Sequence, residues 1–130
     1  MTTSQDYPER VYAVRASEKF AAQSEAAYDR LERDDYDAAE DWRAGLQRAK
    51  SSLATLPFRC GVAAENRLYQ KKHPGVPLRV FLYRHGRNTW RLLLTVHEAA
   101  DEDTAHVMLH QLRSSAQKPL TKWPEDSPTI

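Results

Sequence analysis

Four arginines and one histidine lie close together in the middle of the chain, and their chemistry is that of anion binding. Arg79, Arg84, His85, Arg87 and Arg91 fall within thirteen residues that contain no acid. Guanidinium groups donate paired hydrogen bonds to phosphate and carboxylate oxygens. We therefore predict that this cluster binds an anion. The alternative is a solvated sheet face.

The charge distribution along the chain supports an anionic partner. The net charge is +1, but residues 57–98 hold eight Lys/Arg against two Asp/Glu, a local charge of +6. The flanking segments 1–56 and 99–130 carry −3 and −2. A polyanion responds to the local field of a surface, so the mean charge of the chain is uninformative.

Two helices and a preceding strand are predicted before residue 57. Residues 11–15 have the composition of a short strand, and Ser17 is a suitable N-cap for the helix that follows. The polar stretch 32–37 predicts a break. Apolar residues then recur every three or four positions over residues 39–56, which predicts a second helix ended by Pro57.

Three strands are predicted after residue 77. Segments 78–84 and 90–97 are rich in β-branched and aromatic residues, and the turn residues 85–89 predict that they pair antiparallel. Segment 104–112 fits either a helix or a strand, and the acidic connection 99–103 favours the strand.

The choice at 104–112 decides whether two histidines could share a ligand. A helix would bring His106 and His110 one turn apart, whereas a strand separates them by about 13 Å. A zinc site also needs further ligands, and the chain has a single cysteine, Cys60. We choose the strand and expect neither a metal nor another cofactor.

Length and hydropathy indicate one small domain. The 130 residues fit a single core, assigned to residues 1–117, and the proline-containing tail 118–130 is expected to be loosely ordered. Within that tail Trp123 either caps the domain or touches a partner. Without an apolar run long enough for a membrane helix or a signal peptide, the expected location is the cytoplasm, with no membrane partner.

The resulting fold class is α+β: an N-terminal strand, a helical hairpin, and an antiparallel three-stranded meander, with the helices packed on one face of the sheet. This order resembles the RelE/ParE superfamily of bacterial toxins from type II toxin–antitoxin pairs. The segments that carry the resemblance are Tyr12-Ala-Val-Arg15, the helix ending at Pro57, Arg79-Val-Phe-Leu-Tyr83, Trp90-Arg-Leu-Leu-Leu-Thr-Val96, and His106-Val-Met-Leu-His110 before Arg113.

The resemblance implies a toxin that cleaves mRNA on the ribosome without a metal. Arg91 and Arg113 stand at matching arginine positions and would stabilise charge on the phosphate. His110 is our candidate for moving a proton, with His85, His97 or a bound water as alternatives. Two lysines of the family pattern fall at Val80 and Leu82 in this chain. A complete copy of the cleavage site is therefore absent.

Two other functions stay open. A second branch of the superfamily poisons DNA gyrase without catalysis, and an inactive relative would bind only its antitoxin, whose acidic and apolar tail would use the same positive field. The expected partners are thus a cognate antitoxin and either the ribosome with mRNA or gyrase. A small structural or regulatory domain with solvated arginines is the third possibility.

Overall fold

The computed structural model describes residues 10–99, 104–124 and 128–129. Most of the predicted acidic connection 99–103, and residues 125–127 and 130 of the predicted tail, lie outside these ranges. Within them the elements are β1 (Ala13–Ala16), α1 (Glu18–Asp34), α2 (Tyr36–Ser52), a 3-10 turn (Pro57–Arg59), β2 (Gly61–Val62), α3 (Asn66–Gln70), β3 (Arg79–His85), β4 (Asn88–His97) and β5 (His106–Ser114).

The predicted α+β class is confirmed, and the sheet is larger than predicted. Strands β3, β4 and β5 form the expected antiparallel meander. β1 joins it in parallel beside β5, and the two-residue β2 extends the other edge, so the order is β1-β5-β4-β3-β2. The prediction placed only the three strands of the meander in the sheet. It did not include β1, which pairs with a strand about ninety residues later, or β2, which is too short to show a pattern.

The helical hairpin forms where the sequence predicts it. The Ser17 hydroxyl accepts a hydrogen bond from the Phe20 amide and caps α1. The predicted break between the helices is the single residue Asp35, at which α1 ends. The Asp35 carboxylate accepts a hydrogen bond from the Ala38 amide, so Asp35 is also the N-cap of α2. The Tyr28 hydroxyl donates to Glu40 across the two helices.

Helix α2 ends at Ser52, four residues before the predicted end. Leu53 caps it in a right-handed conformation, and Leu56 then adopts the left-handed region with φ of 49°. Pro57 disfavours helical geometry at the residue before it, which is Leu56. The proline therefore affects the connection after α2 and does not itself end the helix. The chain therefore leaves α2 with an exposed leucine in a strained conformation.

Side chains from both faces of the sheet are buried. On one face, β4 places Trp90, Leu92 and Leu94 against the hairpin, where the rings of Trp90 and Trp42 lie 5.1 Å apart. On the opposite face, Leu93 belongs to a second, smaller cluster. Its other members come from the segment around α3, from β3 and from the C-terminal tail: Ala63, Leu68, Tyr69, Leu78, Val80, Leu120 and Trp123.

Trp123 caps the domain. Its side chain is 3% exposed, and its ring lies 5.1 Å from that of Tyr69 in an edge-to-face arrangement. Farther along the tail, the Pro128 carbonyl accepts the Glu18 amide at the start of α1. The described parts of the tail therefore run over the face of the sheet that the hairpin leaves open and reach the N-terminus of α1.

Candidate anion-binding site

Arg91 and Arg113 face each other across two neighbouring strands. They are direct register partners in β4 and β5, so their side chains project from the same face of the sheet. That face is the one opposite the helical hairpin, because Trp90 and Leu92 on either side of Arg91 contact the hairpin. The structure thus brings these two predicted site residues together.

The two arginines line a cleft of about 370 Å³ between the α3 segment and the start of the tail. Four cationic side chains and one carboxylate border it, which leaves the cleft with a net charge of +3. The polar and charged residues of the lining are Glu65, Arg67, Arg91, Arg113, Ser114, Ser115, Gln117 and Lys118. Hydroxyls, an amide and guanidinium groups around one concave surface are suited to oxyanion binding.

Arg91 is held in place by Glu65. Both guanidinium Nη atoms donate to the carboxylate, one of them at 2.8 Å, and Glu65 is 7% exposed. The hydrogen bonds from Arg91 lower the pKa of Glu65, burial opposes this effect, and the charges of Arg91 and Arg113 add to the lowering. The same bonds raise the pKa of Arg91. This bidentate pair fixes the plane of the Arg91 guanidinium in the lining of the cleft.

Arg113 keeps its charge uncompensated by an ion pair within the described residues. Its Nη2 donates to the Lys118 carbonyl at 2.5 Å, which is a neutral acceptor. The turn that carries Lys118 is itself fixed, because the Ser114 amide donates to the Gln117 side chain at 2.7 Å. Arg113 therefore supplies the positive field of the cleft more fully than Arg91 does.

The other predicted anion-binding residues do not join this cleft. Successive residues of β3 point to opposite faces, so Arg79 and His85 lie on the hairpin side. Arg79 donates to the Cys60 carbonyl at 2.7 Å, and His85 Nε2 lies 3.0 Å from a carboxylate oxygen of Asp41 in α2. These two residues and the cleft arginines therefore do not form one surface.

Arg84 and Arg87 are exposed at the far end of the β3–β4 hairpin. Arg84 pairs in register with Thr89, and Arg87 lies in the two-residue turn beside Gly86, whose φ of 60° is the conformation that such turns favour. Neither lines the cleft. The compact cluster in the sequence is thus distributed over two faces and a turn.

His110 lies on the same face as Arg113 but outside the lining of the cleft. Its Nε2 is 2.8 Å from the Thr95 hydroxyl, and its ring lies 5.4 Å from that of Tyr69 and 6.2 Å from that of Trp123. The strand assignment that separated His110 from His106 is confirmed. The tail therefore covers the imidazole that we predicted to move a proton.

A second imidazole contacts the same hydroxyl. His97 Nε2 is 2.7 Å from Thr95 Oγ1, and the His97 ring stacks on His106 at 4.7 Å. A hydroxyl donates only one hydrogen, so Thr95 donates to at most one of its two imidazole neighbours. Burial, followed by the charge of His106, lowers the pKa of His97.

In the described part of the chain no three His, Cys, Asp or Glu side chains are grouped to hold a metal ion.

Sequence reasoning missed Glu65, Arg67 and Lys118. A signal for Glu65 was present, because it is one of only two acids in the basic segment 57–98 and was therefore a candidate for an ion pair. Arg67 and Lys118 reach the cleft through the short α3 and the path of the tail, neither of which has a periodic pattern.

Comparison with protein-family models, with curated proteins and with solved structures finds no match to this chain. None of the helices in the described ranges combines the length and apolar character needed to cross a bilayer.

Proposed function

We propose that this protein is the toxin of a type II toxin–antitoxin pair and that it acts on mRNA at the ribosome. The observation that carries the proposal is the pairing of Arg91 and Arg113 at adjacent positions of β4 and β5, inside a cleft with a charge of +3. The order of strands and helices, which led to the resemblance with the RelE/ParE superfamily, supports it further.

The cleft provides the electrostatic part of such a cleavage. When the RNA 2′-oxygen loses its proton and attacks the adjacent phosphorus, the P–O5′ bond breaks and the leaving 5′-oxygen takes up a proton. Negative charge increases on the two non-bridging oxygens in the transition state. Arg113, which lacks an ion-pair partner in the described chain, is suited to bind one of them, and the rigid Arg91 is suited to bind the other. Preorganised donors of this kind contribute about 3 kcal/mol each to transition-state stabilisation.

Proton transfer falls to other groups. No histidine lines the cleft in the described ranges. His110 lies outside the lining, and its ring contacts those of Tyr69 and Trp123 instead. We therefore assign proton transfer to a bound water or to groups of the ribosome, and the activity is then expected to require the ribosome.

A toxin without catalysis is the second candidate, and one observation favours it. Glu65 already neutralises Arg91, so the cleft could bind an anionic surface of gyrase or an acidic antitoxin without cleaving anything. In both cases the partners include a cognate antitoxin, and the protein works in the cytoplasm. A neighbouring reading frame that encodes a short acidic protein would support the toxin–antitoxin pair.

The two candidates are separated by inducing the protein in bacterial cells and following translation and plasmid supercoiling in parallel. We expect translation to stop first, with Arg113→Gln relieving the arrest. Arg33→Gln, a change at an exposed arginine in the last turn of α1, serves as the charge-matched control and is expected to retain toxicity. A change in supercoiling with normal translation would favour gyrase, and growth unaffected in both assays would refute a toxin.

A further inference from the structure

A second surface, on the edge of the sheet at β2, carries exposed apolar side chains. We call it the apolar edge and define it by Leu56, Phe58 and Val62, which are 61%, 49% and 57% exposed. Leu56 and Phe58 border a hollow of about 280 Å³ whose floor includes Tyr12 and Pro57. Two large exposed apolar side chains at this hollow, together with Val62 on the neighbouring strand β2, form a surface that water solvates poorly.

The backbone holds Leu56 in a conformation that disfavours it. Its φ of 49° makes it the only non-glycine residue with positive φ in the described ranges. A branched aliphatic side chain in the left-handed region is strained, and such strain is concentrated at functional positions. Here the strain holds an apolar side chain outward instead of burying it.

Two arginines beside the apolar edge form no salt bridge with any acidic residue that the structure describes. Arg59 donates to the carbonyls of Thr55 and Leu56, and Arg79 donates to the carbonyl of Cys60. The Arg79 guanidinium also lies 5.2 Å from the centre of the Phe58 ring. Arg59 also donates to the carbonyl and the hydroxyl of Ser52. All of these acceptors are neutral, so no ion pair within the described part of the chain neutralises either charge.

The β2 backbone adds a third kind of contact. The Ala63 amide donates to the Leu78 carbonyl, and Gly61 pairs with Val80. Hydrogen-bonded and non-hydrogen-bonded pairs alternate in an antiparallel ladder, so the amide and carbonyl of Val62 point away from β3. The Val62 side chain lies on the same face as its partner Arg79. An extended segment can therefore pair with Val62 beside the apolar edge.

We propose that the apolar edge binds an acidic segment of another protein, in which a bulky apolar side chain enters the hollow and carboxylates pair with Arg59 and Arg79. The charge of the two arginines selects an acidic partner over a basic or neutral one. The proposal does not depend on the RNA-directed activity, because Arg79 lies on the face of the sheet opposite the cleft.

The test is a selection from a random peptide display library on the full-length protein, followed by measurement of affinity for an enriched synthetic peptide by fluorescence anisotropy. The central variant is Leu56→Asn, because asparagine tolerates the left-handed region and removes the apolar anchor without adding strain. A second variant, Arg59→Gln with Arg79→Gln, removes the charge. Tyr36→Ser, which truncates an exposed aromatic residue at the start of α2, is the control.

We expect the enriched peptides to be acidic and to share a bulky apolar residue. Leu56→Asn is expected to weaken binding about thirtyfold, as truncation of a buried anchor does. The double arginine variant should weaken binding and reduce its salt dependence, and Tyr36→Ser should have no effect.

Three results would overturn the proposal. They are enrichment of basic or neutral peptides, affinity unchanged in Leu56→Asn, and concentration-dependent self-association that Leu56→Asn abolishes, which would identify a second copy of the chain as the occupant. Arg113→Gln, a change in the cleft, is expected to leave peptide binding intact. The two proposed activities can therefore fail separately.

Discussion

Replacing Glu65 with glutamine is expected to destabilise the protein through the ion pair behind the cleft. The Glu65 side chain is 8% exposed and that of Arg91 is 24% exposed. The glutamine fills the same space and still accepts one hydrogen bond, but it leaves the guanidinium partly buried without a counter-charge. The change therefore isolates the electrostatic contribution of the pair.

The expected loss follows from the burial of the two partners. Removing one member of a fully buried ion pair costs about 3–5 kcal/mol. Because Arg91 keeps about a quarter of its side-chain surface in water, we expect Glu65→Gln to lower the free energy of unfolding by about 2 kcal/mol at pH 7. Arg10→Gln breaks the exposed pair between Arg10 and Glu98 and is expected to cost about 0.5 kcal/mol or less.

The assay is urea unfolding of both variants and the wild type at several pH values. Since the pKa of Glu65 is lowered in the folded state, the pair stabilises the protein fully above the unfolded pKa of about 4.3 and stops doing so as the pH falls through the folded pKa. The difference in free energy of unfolding between the wild type and Glu65→Gln should therefore become smaller below about pH 4. A loss at pH 7 no larger than that of Arg10→Gln would refute this reasoning.

Three further predictions concern packing and titration. Gly45→Ala would place a Cβ 2.1 Å from the Tyr83 hydroxyl oxygen and is expected to cost about 1 kcal/mol in thermal unfolding, whereas Gly61→Ala, with no heavy atom within 4 Å, should be nearly neutral. Trp123→Ala should cost about 3 kcal/mol in the same measurement, and a negligible loss would show that the tail does not cap the domain. In an NMR titration the midpoint of His97 should lie below the ordinary histidine pKa of 6.5, because its burial lowers the pKa. The unfolded chain then binds the proton more readily, so the protein becomes less stable as the pH falls through that range. A midpoint above 6.5 would contradict this.

The helical hairpin and the meander could be predicted because their signals are local. The spacing of apolar residues every three or four positions indicates α1 and α2. The strand-type segments on either side of the turn at Gly86 indicate the β3–β4 hairpin. The parallel pairing of β1 with β5 could not be predicted from local patterns, since it joins segments far apart in the chain. The backbone conformation of Leu56 could not be predicted either. Its apolar side chain continues the spacing of the α2 stripe, whereas its backbone is left-handed.

The candidate site was predictable in part, for the same reason. The family resemblance predicts Arg91 and Arg113 as site residues, and the register of β4 and β5 brings them together. Arg79 and His85 were grouped with them by nearness in sequence, but the alternation of side chains along β3 sends these two to the other face. Glu65 and Lys118 enter the cleft through irregular segments that have no periodic signal.

Cleavage of a defined mRNA on purified bacterial ribosomes, with the new 5′ ends mapped by primer extension, tests the proposed activity most directly. We predict new ends with the wild-type protein, a loss of about a hundredfold in rate with Arg113→Gln, and an unchanged rate with Arg33→Gln. Intact mRNA in the presence of the folded wild-type protein, or cleavage unaffected by Arg113→Gln, would contradict the account of the cleft.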